Sequence, residues 1–222
     1  MTLISAFDVL GPNMIGPSSS HTAGANVIAY LAQKMINGPI VKVTFTLYGS
    51  FAKTYRGHGT DRALVGGILG FATDDVRIRN SFELATAQGV DFSFIPNDVE
   101  EDVHPNTVDI LMENAAGDTM MVRGESLGGG KCRIVKIDQA EVEFTGEYSS
   151  VIILQKDRPG VVAHITKCLS DRNVNIAFMR VFRETKGQTA YTIVESDGVL
   201  PEGIAEELRK NENIIDVKII QL

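Results

Sequence analysis

The sequence predicts a mixed α/β (α+β) chain built in two parts, and three observations carry the prediction. From Val151 onward, strand-like and helix-like segments follow the order β-α-β-β-α-β, the ferredoxin-like arrangement. Earlier, VKVTFTLYGS alternates, with Val41, Val43, Phe45 and Leu47 on one face and Lys42, Thr44 and Thr46 on the other, as a half-buried strand does. Between the two lies EFTGEYSS, a polar, Gly-containing link that sets the expected boundary between residues 1–146 and 147–222. A chain of 222 residues is long enough for two domains, each with its own core.

In chain order, Gly16-Pro17 reads as a turn ahead of a serine loop. ANVIAYLAQKMI then places Val27 or Ile28, Leu31 and Met35 on one helical face. After the alternating strand, TDRALVGGILGF predicts a helix that Gly66 and Gly67 weaken and that Thr60 or Asp61 would cap. SFELATAQGV is a short helix ending at Gly89, and VDFSFI is a strand stopped by Pro96. TVDILMEN and TMMVRGES are strands joined at Ala116-Gly117-Asp118, and GGG (128–130) turns the chain into KCRIVKID. The first part is expected to pair antiparallel. In the second part VIILQ is a buried strand and DRPG (Asp157 to Gly160) a turn, with Pro159 suited to a helix start. VVAHITKCLSDRN carries Val161, Ile165 and Leu169 at helical spacing and stops at Asn173. VNIAFMRVFRE and GQTAYTIVES pair across Lys186-Gly187, PEGIAEELRKNE is the second helix and IIDVKIIQL the last strand.

Composition excludes several function classes. With 44% hydrophobic and 22% charged residues this is a globular composition, and a net charge of −7 argues against nucleic acid or an anionic membrane as partner. No apolar run reaches the ~20 residues of a membrane span. MTLISAFDVLGP lacks the basic start and apolar stretch of a secretory signal, and the expected compartment is a reducing cytoplasm. The 2 cysteines, Cys132 and Cys168, are read as small buried hydrophobes, with no disulfide framework. A cubane iron–sulfur cluster usually takes four thiolates, more than this chain can supply. No cluster has zinc-ligand spacing, and no G-x-G-x-x-G follows a strand. NDVEED (97–102) and EELRK (206–210) read as solvated charge.

Three stretches combine histidine with small or polar neighbours at the start of an element. GPSSSHTAG holds Ser18, Ser19, Ser20, His21 and Thr22 before the first helix. Such hydroxyls cap free backbone N–H groups or, with the helix dipole, hold a carboxylate or phosphate, and both readings stand. His21 adds a group that titrates near neutral pH. RGHGTD puts His58 between glycines that let a ligand approach the backbone, or simply make a tight turn. EDVHPNT puts His104 in extended backbone before Pro105, where a plain loop histidine is the other reading. The fourth histidine, His164, lies within a helix and is read as structural.

Taken together, GPSSSHTAG, GHGTD and HPNT, followed by a DRPG unit of ACT type, resemble the beta subunit of the bacterial iron–sulfur-dependent L-serine dehydratases over nearly the whole chain. The first part is also similar to the allosteric substrate-binding domain that some phosphoglycerate dehydrogenases place before their ACT domain. The resemblance implies conversion of L-serine to pyruvate and ammonia. It also implies a [4Fe–4S] cluster, held by cysteines of a partner alpha subunit, acting as Lewis acid on the substrate hydroxyl. It implies that His58 takes the Cα proton, that His21 orients substrate or shares the proton, and that His104 lines the same cleft. Ser18, Ser19, Ser20 and Thr22 would bind the serine carboxylate, with Asn106 nearby. In ACT domains of the phosphoglycerate dehydrogenase type, a His and an Asn before R-P-G contact effector serine. Here Gln155 and Asp157 stand at those positions beside Gly160, while Asn175 matches a third contact. Asp157 suits a monovalent cation or a subunit contact. The expected partners are therefore the alpha subunit, L-serine and a second copy of this chain, paired through ACT or N-terminal domains. Two other classes remain open at this point: a non-catalytic amino-acid sensor and a scaffold.

Overall fold

A computed structural model of the chain describes residues 13–97, 99, 102–184 and 186–221. The N-terminal leader reading and half of the acidic loop at 97–102 lie outside the described residues. The chain divides into two compact units, the first running through Asp138 and the second from Gln139. The division precedes the polar stretch read as the link, and a strand, Ala140–Phe144, runs into the start of that stretch.

In the first unit a π-helical turn, Ser19–Gly24, runs directly into α1 (Ala25–Gln33). There follow β1 (Ile40–Tyr48), α2 (Gly49–His58), α3 (Thr60–Ile68), a 3₁₀ turn (Val76–Asn80) and α4 (Ser81–Ala87). Then come β2 (Asp91–Asn97), β3 (Thr107–Asn114), β4 (Thr119–Gly128) and β5 (Lys131–Ile137). These strands lie in the order β2-β1-β3-β4-β5. The core sits where Ile28 and Leu31 of α1, Met35 just beyond its end and Leu64 of α3 meet Val43, Phe45, Ile110, Met112 and Val122 of the sheet, all buried. Burying side chains of this size contributes ~1.5–3 kcal/mol each. Two glycines make the packing close. A Cβ on Gly67 would lie 2.4 Å from the Asn26 carbonyl, and one on Gly124 would lie 2.3 Å from Ile28.

Several expectations are corrected here. The pairing is not uniformly antiparallel: β1 and β2 run parallel, since α2, α3 and α4 form the crossover that parallel strands need. Pro96 does not stop β2, which reaches Asn97; an edge strand tolerates the missing N–H. Ser19, Ser20 and His21 stand in the first helical turn rather than in a loop, and Ser18 precedes it. His58 ends a helix, α2, that the sequence pattern did not show. Neither Thr60 nor Asp61 caps α3, whose N-cap is Gly59.

The second unit opens with β6 (Ala140–Phe144) and continues with β7 (Ser149–Lys156), α5 (Val161–Asp171), β8 (Ile176–Arg183), β9 (Thr189–Ser196), α6 (Ile204–Leu208) and β10 (Ile214–Ile220). The sheet order β10-β7-β9-β8 is the ferredoxin-like one. Val151, Ile153, Ile165, Leu169, Val194 and Leu208 form its buried core. Pro159 does not open α5; Gly160, left-handed at φ 88°, is its N-cap. Asn173 stops the helix as expected, at φ 55°. His164 is structural: its Nε2 lies 3.1 Å from the Leu208 carbonyl. Both cysteines are buried, and neither forms a disulfide. Among the described residues no helix is long and apolar enough to cross a membrane.

Candidate active site

Ser18 is extended at φ −137°, ψ 123°, and its Oγ accepts the His21 backbone N–H at 3.1 Å. The serine stretch is therefore a helix cap. It is more than a cap, because the His21 ring turns back on it. His21 Nδ1 lies 3.0 Å from Ser20 Oγ and 3.4 Å from Ser18 Oγ, and Nε2 lies 2.9 Å from Ser50 Oγ. The ring centroid stands 4.9 Å from that of His58 and meets Phe51 edge-on at 5.4 Å. Thr22 is buried, and its hydroxyl donates to the His58 carbonyl at 3.1 Å. The Ser19 hydroxyl has no partner among the described residues and is half-buried.

The two remaining histidines of the motifs have opposite tautomers. Left-handed Gly59 (φ 69°) ends α2 at His58, whose Nδ1 is 3.3 Å from the Thr54 carbonyl. A carbonyl only accepts, so Nδ1 carries the hydrogen and Nε2 keeps its lone pair. In His104, Nδ1 accepts the Asn106 backbone N–H at 3.2 Å, which places the hydrogen on Nε2. One imidazole is thus set up to accept a proton and the other to donate a hydrogen bond.

His104 is tied to the cluster through its loop. The Pro105 carbonyl accepts the Ser50 N–H at 2.6 Å, and Gly49, at φ 52°, lies so close that a Cβ would sit 2.7 Å from that oxygen. The Asn106 carbonyl accepts the Ser126 N–H at 2.9 Å, and Ser126 Oγ donates to the Ser20 carbonyl at 2.8 Å. Asn106 Oδ1 is buried without a donor among the described residues. Ser50, Thr54, Gly49 and Ser126 were not found from sequence. They belong to no motif; Ser126 meets Ser20 across 106 residues of chain.

Burial, and secondarily the charge of His58, hold the His21 imidazole below its ordinary value of 6.5. Between the lowered folded value and the unfolded one, the unfolded chain binds more protons than the folded chain. Stability from this group is therefore complete above the unfolded value and is lost as pH falls through the folded one. Urea midpoints are expected to fall between about pH 7.5 and about pH 5.5, and His21→Gln to shrink that fall. An equal fall in the variant would remove His21 as its source.

In the second unit, Gln155, Asp157 and Gly160 line one cavity of about 610 Å³ together with Arg158, Arg183 and Lys186. Gln155 is buried and its Oε1 has no partner. Asp157 Oδ2 accepts the Gly187 N–H at 2.9 Å and pairs with Arg183 at 3.0 Å; the Gly187 bond first, then the arginines, hold its carboxyl below the usual range. Asn175 lines a different hollow, of about 310 Å³, and donates to Asp197 at 2.5 Å. Within one chain it does not join the other three.

Fold and site together define a class: a mixed α/β unit that gathers imidazoles among serine hydroxyls, joined in one chain to a ferredoxin-like unit. Residues 5–89 match the family model described as serine dehydratase beta chain, and residues 149–213 match the ACT domain. Over 222 residues the chain is 40% identical to the L-serine dehydratase beta chain of Peptoniphilus asaccharolyticus, covering 100% of both. It is 39% identical to a probable L-serine dehydratase beta chain of Bacillus subtilis, covering 96% of each. A D-3-phosphoglycerate dehydrogenase of Methanocaldococcus jannaschii is 25% identical over 89% of this chain and 37% of its own length. The chain belongs to the L-serine dehydratase beta-chain family and carries a C-terminal ACT domain.

Proposed function

We propose that this chain is the beta subunit of a heteromeric L-serine dehydratase, in which residues 1–146 form the beta-chain domain and residues 147–222 the ACT domain. The reaction eliminates water from L-serine to give 2-aminoacrylate, whose imine tautomer hydrolyses to pyruvate and ammonia. The single observation that carries this reading is the paired imidazoles of His21 and His58, 4.9 Å apart, with the His58 Nε2 lone pair free. A sensor needs polar contacts but no such pair.

His58 Nε2 takes the Cα proton. His104 Nε2–H donates a hydrogen bond within the same cleft. The orphaned Asn106 Oδ1 accepts from the substrate ammonium. Ser19, with its unused hydroxyl, meets the carboxylate, while Ser18, Ser20 and Thr22 hold the two histidines in place. The residues of this chain do not fit a resident cluster. It has 2 cysteines, and among the described residues no group of His, Cys, Asp and Glu could hold a metal ion. The [4Fe–4S] cluster of the resemblance is accordingly assigned to the alpha subunit. The cavity at Gln155, Asp157 and Gly160 is assigned to an ACT effector, with Asp157 also suited to a monovalent cation. Edge strand β8, with Phe178 and Val181 exposed, offers the ACT face for pairing with a second copy. The compartment in this reading is the cytoplasm.

The test is pyruvate formation from L-serine under anaerobic conditions, with this chain alone and co-produced with its alpha subunit. Activity confined to the pair is the expected result. No activity in either, with L-serine still bound by this chain, would turn the reading toward a sensor.

A further inference from the structure

The Ser50 hydroxyl has one partner among the described residues, His21 Nε2 at 2.9 Å. Everything else about Ser50 is fixed. Its N–H donates to the Pro105 carbonyl at 2.6 Å, its own carbonyl accepts the Thr54 hydroxyl at 2.7 Å, and Gly49 beside it is pressed against Pro105. On the far side of the imidazole, Nδ1 faces Ser20 Oγ at 3.0 Å, and Ser20 Oγ lies 3.3 Å from Ser18 Oγ. Phe51 and His58 flank the ring. We propose that Ser50 is a positioning residue that forms one end of a proton relay, Ser50–His21–Ser20–Ser18, with His21 as its neutral pivot. The use of this relay in turnover rests on the catalytic reading above.

A neutral imidazole donates at one nitrogen and accepts at the other, and a hydroxyl does both. The chain of groups therefore has two complete arrangements. In the first, Ser50 O–H donates to Nε2, Nδ1–H donates to Ser20 and Ser20 O–H donates to Ser18. In the second, every donor is reversed. Ser50 and Ser18 are both half-buried, so water can reach each end. A proton delivered by water to Ser50 Oγ passes the serine's own proton to Nε2. The Nδ1 proton moves to Ser20, the Ser20 proton to Ser18, and the original Ser18 proton passes to water at that end. One proton enters, one departs, and no charge remains on the ring. A charged His21 beside a protonated His58, with centroids 4.9 Å apart, would be repelled; the relay moves a proton past His58 without that intermediate.

The experiment reads histidine ¹⁵N shifts in the full-length chain and then turnover in the assembled pair. Wild-type His21 is expected to show shifts averaged between its two tautomers. Ser50→Ala is expected to fix one tautomer, and Ser50→Thr, which keeps the hydroxyl, to restore averaging. A single fixed tautomer in the wild type, or averaging unchanged by Ser50→Ala, would overturn the relay. Should Ser50→Ala not fold, Ser50→Cys replaces it as the weakened relay. In the pair, Ser50→Ala is expected to lower kcat about tenfold or more with KM within about twofold, and Ser50→Thr to recover it. A kcat loss that Ser50→Thr does not recover would overturn the positioning role. Tautomer shifts as expected with kcat unchanged would overturn the use of the relay in turnover, while pyruvate formation by the pair would leave the catalytic reading standing.

Discussion

Replacing His58 with asparagine is expected to lower kcat for pyruvate formation by about 10²–10⁴-fold, the usual contribution of a positioned general base. Asparagine is the informative choice. Its side-chain N–H₂ can still donate to the Thr54 carbonyl, which His58 Nδ1–H now reaches at 3.3 Å. The end of α2, the left-handed turn at Gly59 and the bond from Thr22 to the backbone carbonyl of residue 58 are unaffected by it. What disappears is the basic lone pair on Nε2. Loss confined to kcat, with KM and subunit assembly preserved, is the signature of a group acting in the transition state.

The same substitution has a second consequence that needs no partner subunit. The charge of His58 is the smaller of the two causes that lower the His21 titration; burial is the larger. In His58→Asn, His21 is expected to titrate closer to its ordinary value but still below it. A turnover close to wild type would remove His58 as the base and leave His21 as the next candidate.

The second unit was the more legible part of the sequence. Its strands and helices are short, evenly spaced and punctuated by turn residues, so pattern alone gave the β-α-β-β-α-β order. The strand at Val43, Phe45 and Leu47 was legible for the same reason: a half-buried strand writes its burial as alternation. Helix α2 was hidden because GSFAKTYRGH buries only Phe51 and Ala52 and is flanked by glycines, so no apolar stripe marks it. The parallel register of β1 and β2 depends on that helix and was hidden with it. At the site, the histidines were visible as motif residues, whereas Ser50 and Ser126 were not. A serine in a helix or strand carries no signal of its own; it becomes functional through what the fold brings against it.

Gly24→Ala is expected to destabilise the chain by ~1–3 kcal/mol and to disrupt turnover at once. A Cβ at Gly24 would lie 2.0 Å from Ser126 Oγ and 2.9 Å from Ser126 Cβ. Ser126 is fully buried in β4, and its hydroxyl is already engaged by the Ser20 carbonyl at 2.8 Å, so it has no room to yield. The strain must push the π-helical turn away from the sheet, which carries Ser20 and His21 away from Ser50. Ser126→Gly alone removes a buried hydrogen bond and costs ~1–3 kcal/mol. It also removes both atoms that the new methyl would strike. The double variant is therefore expected to lose less stability in urea denaturation than the sum of the two single losses, because the residues share one contact. Its turnover should stay well below wild type, since the Ser126 anchor on Ser20 is still missing. Strict additivity of the two stability losses would show that the turn and β4 do not press on each other at this point. Recovery of turnover together with stability would show that the anchor is dispensable, and that spacing alone between Gly24 and Ser126 holds His21 in place.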